Sequence, residues 1–300
     1  MKGWLKKNGS LVLRVCGTIL AIGLLIYLVK QNGTVNIQEA LSKISLTNLT
    51  LAFTCIILSR LFITARWHVL LRSGGVNIPF TRTITLVFMG LFSNNFLPTT
   101  IGGDVVRLAG AIQMGYDNAI CLASIAADRV INMVGMSLAA PLGLWQLAAV
   151  GSAAQSLSIA ALFAKGKDFV AKTFRSFSLW LNKPGALVSA LLFALIHMLF
   201  SFSANYILII SMGEHISLWK VIGLSSLAYF ITLVPISING YGLQELTVTY
   251  LLTNIGGISV ETAASTAVIH RLIMMTVSLP GAFTLPGVLG TLKRKDSDQS

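Results

Sequence analysis

Runs of roughly 20 apolar residues, the length an α-helix needs to cross a bilayer, recur along this chain with few charges inside them. In hydrocarbon every backbone N–H and C=O must be bonded within its own segment, so runs of this length fold as helices. The fold class that follows is all-α, a polytopic membrane protein. Composition decides the same way, because only 11% of residues are charged and a soluble globular chain carries about a quarter. A soluble enzyme, a disulfide scaffold and a disordered chain are excluded.

The apolar windows predict spans at about 11 to 29, 49 to 71, 118 to 142, 144 to 164, 186 to 211 and 259 to 285. Arg14 interrupts the start of the first, and no small-residue cleavage site follows it, so it reads as a retained anchor and not a signal peptide. Two further apolar stretches, 83 to 115 and 216 to 256, break near their middles. The first breaks from Leu97 through Pro98 to Gly102 and Gly103, the second from Val234 through Pro235 to Gly240, Tyr241 and Gly242. Proline removes a backbone donor and glycine loosens the helix, so each stretch reads as two half-helices joined by an irregular turn. Whether such a hairpin re-enters or crosses twice, it leaves the parity of the six full spans unchanged.

Basic residues outnumber acidic ones by 22 to 10, a formal charge of +12. On a nucleic-acid binder that excess would gather into a polar patch. Here it lies between apolar runs, where it reports topology. Fourteen Lys and Arg fall on the side of the two termini and three, Lys30, Lys43 and Lys220, on the other. The expectation is a plasma-membrane protein with both termini cytoplasmic and no nucleic-acid partner. Cys16, Cys55 and Cys121 sit singly inside apolar stretches and read as packing residues, not as a metal or disulfide framework.

The chain also repeats itself. Residues 65 to 74 align without a gap to residues 204 to 213, which sets Arg66 opposite Asn205. Pro98 then matches Pro235, the Gly102-Gly103 turn matches Gly240 to Gly242, and Arg129 matches Arg271. The expected organisation is one membrane domain over 1–300 containing two inverted units, about 49–142 and 186–285. Interrupted helices at corresponding places in such units point to a transporter's binding site.

Charged residues fall inside these apolar stretches: Arg60, Arg66, Arg107, Arg129 and Arg271, with Asp104, Asp128, Glu245, His197 and His270. At a helix centre each arginine or aspartate costs about 2.5 to 3.5 kcal/mol on insertion scales, so each needs a partner or water. Arg60, Arg129 and Arg271 lie near span centres, whereas Arg66 is close enough to its helix end to snorkel. Asp104 is placed either to N-cap the half-helix after Gly103 or to serve a site directly. Asp128 reads as neutralising a buried arginine, and the two histidines as core polar contacts. Trp4, Trp67, Trp180 and Trp219 suit membrane-interface belts.

Five arginines against three acids leave a positive excess that invites an anion. Half-helix N-termini would add backbone donors and positive dipole ends. Arginine forks match phosphate oxygens, and a lipid headgroup is the phosphate most available at that depth. Arg107, Arg129 and Arg271 are therefore the expected phosphate ligands lining one cavity, with Arg60 and Arg66 secondary. Asp104, Asp128 and Glu245 are their polar partners, and Pro98, Gly102, Gly103, Pro235, Gly240 and Gly242 form the hairpin turns and hinges. No aspartate-rich cluster, HExxH or nucleophile elbow occurs, so no catalytic residue, metal or cofactor is expected.

Arg66 to Gly75, Asn95-Phe96-Leu97-Pro98 with Gly102-Gly103-Asp104-Val105-Val106-Arg107, Asp128-Arg129, and Pro235 with Gly240-Tyr241-Gly242-Leu243-Gln244-Glu245 together carry a resemblance. The chain resembles the lysylphosphatidylglycerol synthase transmembrane region family of flippase-like membrane proteins over nearly its whole length. Where this family often has Gly-Glu, the chain has Gly103-Asp104. The resemblance implies movement of a modified phospholipid between leaflets. No soluble synthase domain follows residue 285, so it implies flipping without synthesis. A small-anion or proton-coupled secondary transporter fits the repeat and the arginines equally, with a membrane enzyme acting on lipid phosphate third. Gly135, Ala139 and Gly143, at four-residue spacing, suit packing on a neighbouring helix, with a homo-oligomer as the alternative.

Overall fold

The computed structural model describes residues 42–96, 102–149, 182–233 and 240–284, with positions 23, 39, 180 and 237. Within them the chain is helical and has no strand. The helices are α1 (Leu46–Gly74), α2 (Phe80–Phe96), α3 (Gly103–Gln113), α4 (Asn118–Ala149), α5 (Pro184–Ser211), α6 (Leu218–Thr232), α7 (Leu243–Asn254) and α8 (Val260–Ser278), the last running into a 3₁₀ turn, Leu279–Phe283. Four are long and apolar enough to cross a membrane: α1, α4, α5 and α8 with its 3₁₀ extension. Leu122, Leu138, Val188, Leu192 and Leu272 stand exposed on them, as side chains meant for lipid do. The chain is a polytopic membrane protein.

The interrupted stretches fold as the sequence predicts at their ends. α2 and α3 have 17 and 11 residues, α6 and α7 have 15 and 12. At 1.5 Å per residue they are about 16 to 25 Å long, short of the roughly 30 Å hydrocarbon core. α2 packs on α3, and α6 on α7. Pro98 and Pro235, together with the predicted span at 11 to 29 apart from residue 23, lie outside the described residues.

One predicted boundary moves. The third span was expected to end near 142 and a fourth to begin at 144, but α4 runs unbroken to Ala149 with Pro141 inside it. A proline costs a membrane helix one hydrogen bond, and local adjustment re-satisfies the freed carbonyl, so it does not have to end the helix. The remainder of the predicted fourth span lies outside the described residues.

The chain divides into two compact units, each assembled from three stretches. The unit of residues 57–135, 166–198 and 274–300 has a core of Trp67, Leu71, Ile78, Leu86, Val106, Cys121 and Ile125. Here α2 packs on α3 and on the 3₁₀ turn, where Gly281 lies so close to Phe88 that a Cβ would strike the Phe88 carbonyl. Gly135 packs against Met198 and Ala194 of α5. The other unit, residues 1–56, 136–165 and 199–273, is centred on Leu147, Ile209, Val221, Leu224, Leu252 and Ala263. Gly143 of α4 meets Gly223 of α6 backbone to backbone. Two of the predicted small residues thus pack on neighbouring helices of the same chain.

Two tryptophans expected at interfaces are core residues. Trp67 and Trp180 are fully buried, and each indole N–H finds an acceptor: Ser124 Oγ at 3.0 Å for Trp67, Leu70 O at 3.2 Å and Ser73 Oγ at 3.0 Å for Trp180. Bonding of the one polar atom lets the large ring be buried. Trp219 is exposed, as the belt reading expects.

Candidate functional site

The first unit gathers charge where α1, α3 and α4 converge. Arg66 of α1 donates from Nε to Asp128 Oδ1 at 2.7 Å and from Nη1 to Asn132 Oδ1 at 2.6 Å. Asp128 and Asn132 are four residues apart, hence on one face of α4, and together accept both edges of the arginine fork. Both side chains of the Arg66–Asp128 pair are only 5% exposed. Arg66 therefore does not snorkel as its place in the sequence suggested, because a partner lies closer than the helix end.

Arg107 enters from α3, one turn after Asp104. Its guanidinium lies 4.0 Å over the Trp67 ring, with Nη1 3.1 Å from Asp104 Oδ1 and Nη1 and Nη2 each 3.5 Å from Asp128 Oδ2. Its Nε is buried and has no acceptor among the described residues. Arg129, one residue past Asp128, turns about 100° around α4 and donates from Nε to Asp104 Oδ2, its side chain 60% exposed. Arg66, Arg107 and Arg129 against Asp104 and Asp128 leave one positive charge in excess. The cluster thus carries more arginine than carboxylate.

Asp104 was open between N-cap and site residue. Gly102 is the N-cap of α3, which has no side-chain cap bond, and both Asp104 oxygens go to arginines. Asp128 pairs with two buried arginines, Arg66 and Arg107. Arg60 is buried on α1 beside Ser59, whose hydroxyl is 2.7 Å from His197 Nδ1.

The second unit carries a smaller set. Glu245, in the first turn of α7, accepts from the Gly242 N–H at 2.8 Å and from Arg271 Nε. Arg271 Nη2 donates to Gln244 Oε1 at 2.8 Å, and its guanidinium sits 4.8 Å from the Tyr241 ring centroid. The Arg271 and Glu245 side chains are 11% and 8% exposed. His270 Nδ1 is hydrogen-bonded to Asn205 Oδ1. In the alignment of the halves Asn205 stands opposite Arg66, and His270, next to Arg271, stands opposite Asp128. A buried ion pair in one unit thus has a buried His–Asn hydrogen bond at the aligned positions of the other.

The five predicted arginines therefore fall in two places. Arg60, Arg66, Arg107 and Arg129 belong to one unit, where Arg107 and Arg129 join Arg66, and Arg271 is held in the other. Sequence reasoning missed Asn132, Gln244, Tyr241 and Asn205 as partners. The i+4 spacing of Asn132 from Asp128 was a usable signal, and so was the repeat register for Asn205. Of the turn glycines, Gly240 and Gly242 have φ of +74° and +75°, the left-handed region that favours glycine. Gly103 is needed for a different reason: a Cβ there would strike the Gly90 carbonyl of α2. Gly102 has φ of −59° and open space around it. No group of three or more His, Cys, Asp or Glu among the described residues is placed to hold a metal ion.

Comparison with known proteins gives two matches. Residues 14–165 and 153–281 match the family model described as the lysylphosphatidylglycerol synthase TM region. A UPF0104 membrane protein of Pyrococcus horikoshii is 24% identical over 119 residues, which is 39% of this chain and 36% of that protein. The chain thus spans little more than a third of the length of this curated relative.

Proposed function

Because the chain belongs to the family of the lysylphosphatidylglycerol synthase TM region, we propose that it is a translocator that moves a phosphate-bearing lipid between the leaflets of the plasma membrane. The observation that carries this reading is the Arg66, Arg107, Arg129 cluster with its single positive excess and the half-exposed fork of Arg129. A guanidinium within a membrane helix needs water, a protein partner or a headgroup. The headgroup engages the arginine cluster while its acyl chains stay in lipid. Two half-helix hairpins at matching places in the chain support alternating access. The chain acts as a carrier and performs no chemistry on the lipid.

The test is transfer of labelled phosphatidylglycerol across proteoliposome membranes against empty vesicles. Replacing Arg129 with Lys keeps the charge and loses the planar fork, so transfer is expected to fall about tenfold, roughly the weight of one charge-assisted hydrogen bond. Wild-type protein that moves no phosphate-bearing lipid but takes up free phosphate would replace this reading with a small-anion transporter. Both termini lie on the cytoplasmic side in this proposal. In a cysteine-free background, a cysteine at Ser300 should resist impermeant thiol reagents in intact cells and one at Gln31 should react. The opposite labelling pattern inverts the topology.

A further inference from the structure

The two acid–arginine pairs beside the helix breaks are built differently. Glu245 is bound twice, to the Gly242 N–H that starts α7 and to Arg271, while the other edge of Arg271 is taken by Gln244. Removing that carboxylate would uncap a helix. Asp104 caps nothing, its side chain is 21% exposed, and both oxygens are spent on arginines, one of them more than half exposed.

We propose that Asp104 is an exchangeable internal anion: its carboxylate occupies the position of the ligand phosphate on Arg129 and yields it when a headgroup arrives. This rests on the lipid-translocator reading and assigns the two arginines different work. Arg129 is the loading point, and Arg271 is a fixed latch of the α7 turn.

The exchange leaves no charge stranded. When Arg129 turns to phosphate, Asp104 keeps Arg107 at 3.1 Å, and Arg107 keeps its stacking on Trp67. Arg66 and Asp128 remain bonded to each other throughout. The one formal positive charge in excess matches the single negative charge of a phosphodiester, so the loaded cluster carries no net formal charge. Trading one ion pair for another also keeps affinity moderate. A carrier needs that balance, since a ligand bound too tightly does not leave.

The test uses the purified full chain and short-chain fluorescent phosphatidylglycerol, with glycerol phosphate as the headgroup-only probe. Asp104→Asn should bind the lipid about two- to five-fold more tightly, the factor equivalent to losing one exposed ion pair as a competitor. It should also transfer the lipid more slowly in proteoliposomes. In an Arg129→Gln background the same substitution should give no gain. A gain that persists there is a general charge effect and overturns the proposal, as does unchanged or weaker binding by Asp104→Asn. Asp104→Ser carries the same expectations if the asparagine variant does not fold. Arg271→Lys should leave the affinity unchanged; a loss there equal to that of Arg129→Lys overturns the division of labour. If neither wild type nor Asp104→Asn binds the lipid, the translocator reading fails and this inference with it. Competition by glycerol phosphate as strong as that by the lipid assigns the site to free phosphate compounds and leaves the exchange intact.

Discussion

Replacing Asp128 with alanine is expected to cost about 3 to 5 kcal/mol of stability, the range for breaking a buried ion pair by removing one partner. The cost arises because two guanidinium groups lose their acceptor where water cannot reach them. Arg66 Nε, 2.7 Å from Asp128, would lose its acceptor and leave Arg66 with the Nη1 bond to Asn132, and Arg107 would keep Asp104 and its stacking on Trp67. Asp128→Asn should cost less, since its amide oxygen still accepts from Arg66. At the aligned positions of the other unit, Asn205→Ala should cost about 1 kcal/mol, the usual worth of a hydrogen bond. Thermal unfolding of the detergent-solubilised variants orders the three. A loss of under about 1 kcal/mol in Asp128→Ala, the level of an exposed pair, would mean that the cluster is hydrated and the pair is not structural.

Valine at Gly103 or at Gly242 should abolish lipid exchange, each by a separate cause. At Gly103 the new side chain meets the Gly90 carbonyl and the Asn94 side chain, so α3 must move off α2 and carry Asp104 and Arg107 with it. Overpacking of that kind costs about 1 to 3 kcal/mol. At Gly242 the φ of +75° suits no β-branched residue, and holding one there costs on the order of 1 to 3 kcal/mol. The Gly242 N–H bonded to Glu245 would shift, and the Arg271 latch with it. Gly102→Ala is the control: with open space and an ordinary φ it should change stability by no more than about 0.5 kcal/mol. Exchange in proteoliposomes, with insertion checked separately, reads all three. Full exchange by Gly103→Val would show that the α2–α3 contact does not position the cluster.

Much of the candidate site is legible in the sequence. Asp128 next to Arg129, Asp104 and Arg107 one turn apart, and Glu245 just after the Gly242 turn were all visible as charges inside apolar stretches. Pairing was not visible. Arg66 looked free to snorkel because sequence position measures distance to a helix end and not to a neighbouring helix. Trp67 and Trp180 looked like interface residues for the same reason, and only the packed structure supplies Ser124 and Leu70 as acceptors for their indole N–H groups. Asp104 reads equally as a helix cap or a site residue in the sequence, because local rules place an acid at a helix start. The arginines of α3 and α4 outcompete the backbone for its oxygens.

The sequence by itself determined that this chain is helical and membrane-spanning, where its half-helices begin and end, and which charges lie within its apolar stretches. Those properties follow from the hydrocarbon's refusal of unbonded backbone, from proline and glycine, and from the scarcity of charge, all of which act along the chain. Tertiary structure alone decided which acid answers which arginine, that Arg129 stays open while Arg271 is closed in, and that Gly103 is needed for contact with α2 and not for its backbone angles. Ion pairing at 3 to 4 Å depends on how neighbouring helices are rotated and placed, and that is set by the packing of side chains such as Leu86, Val106 and Ile125 around them.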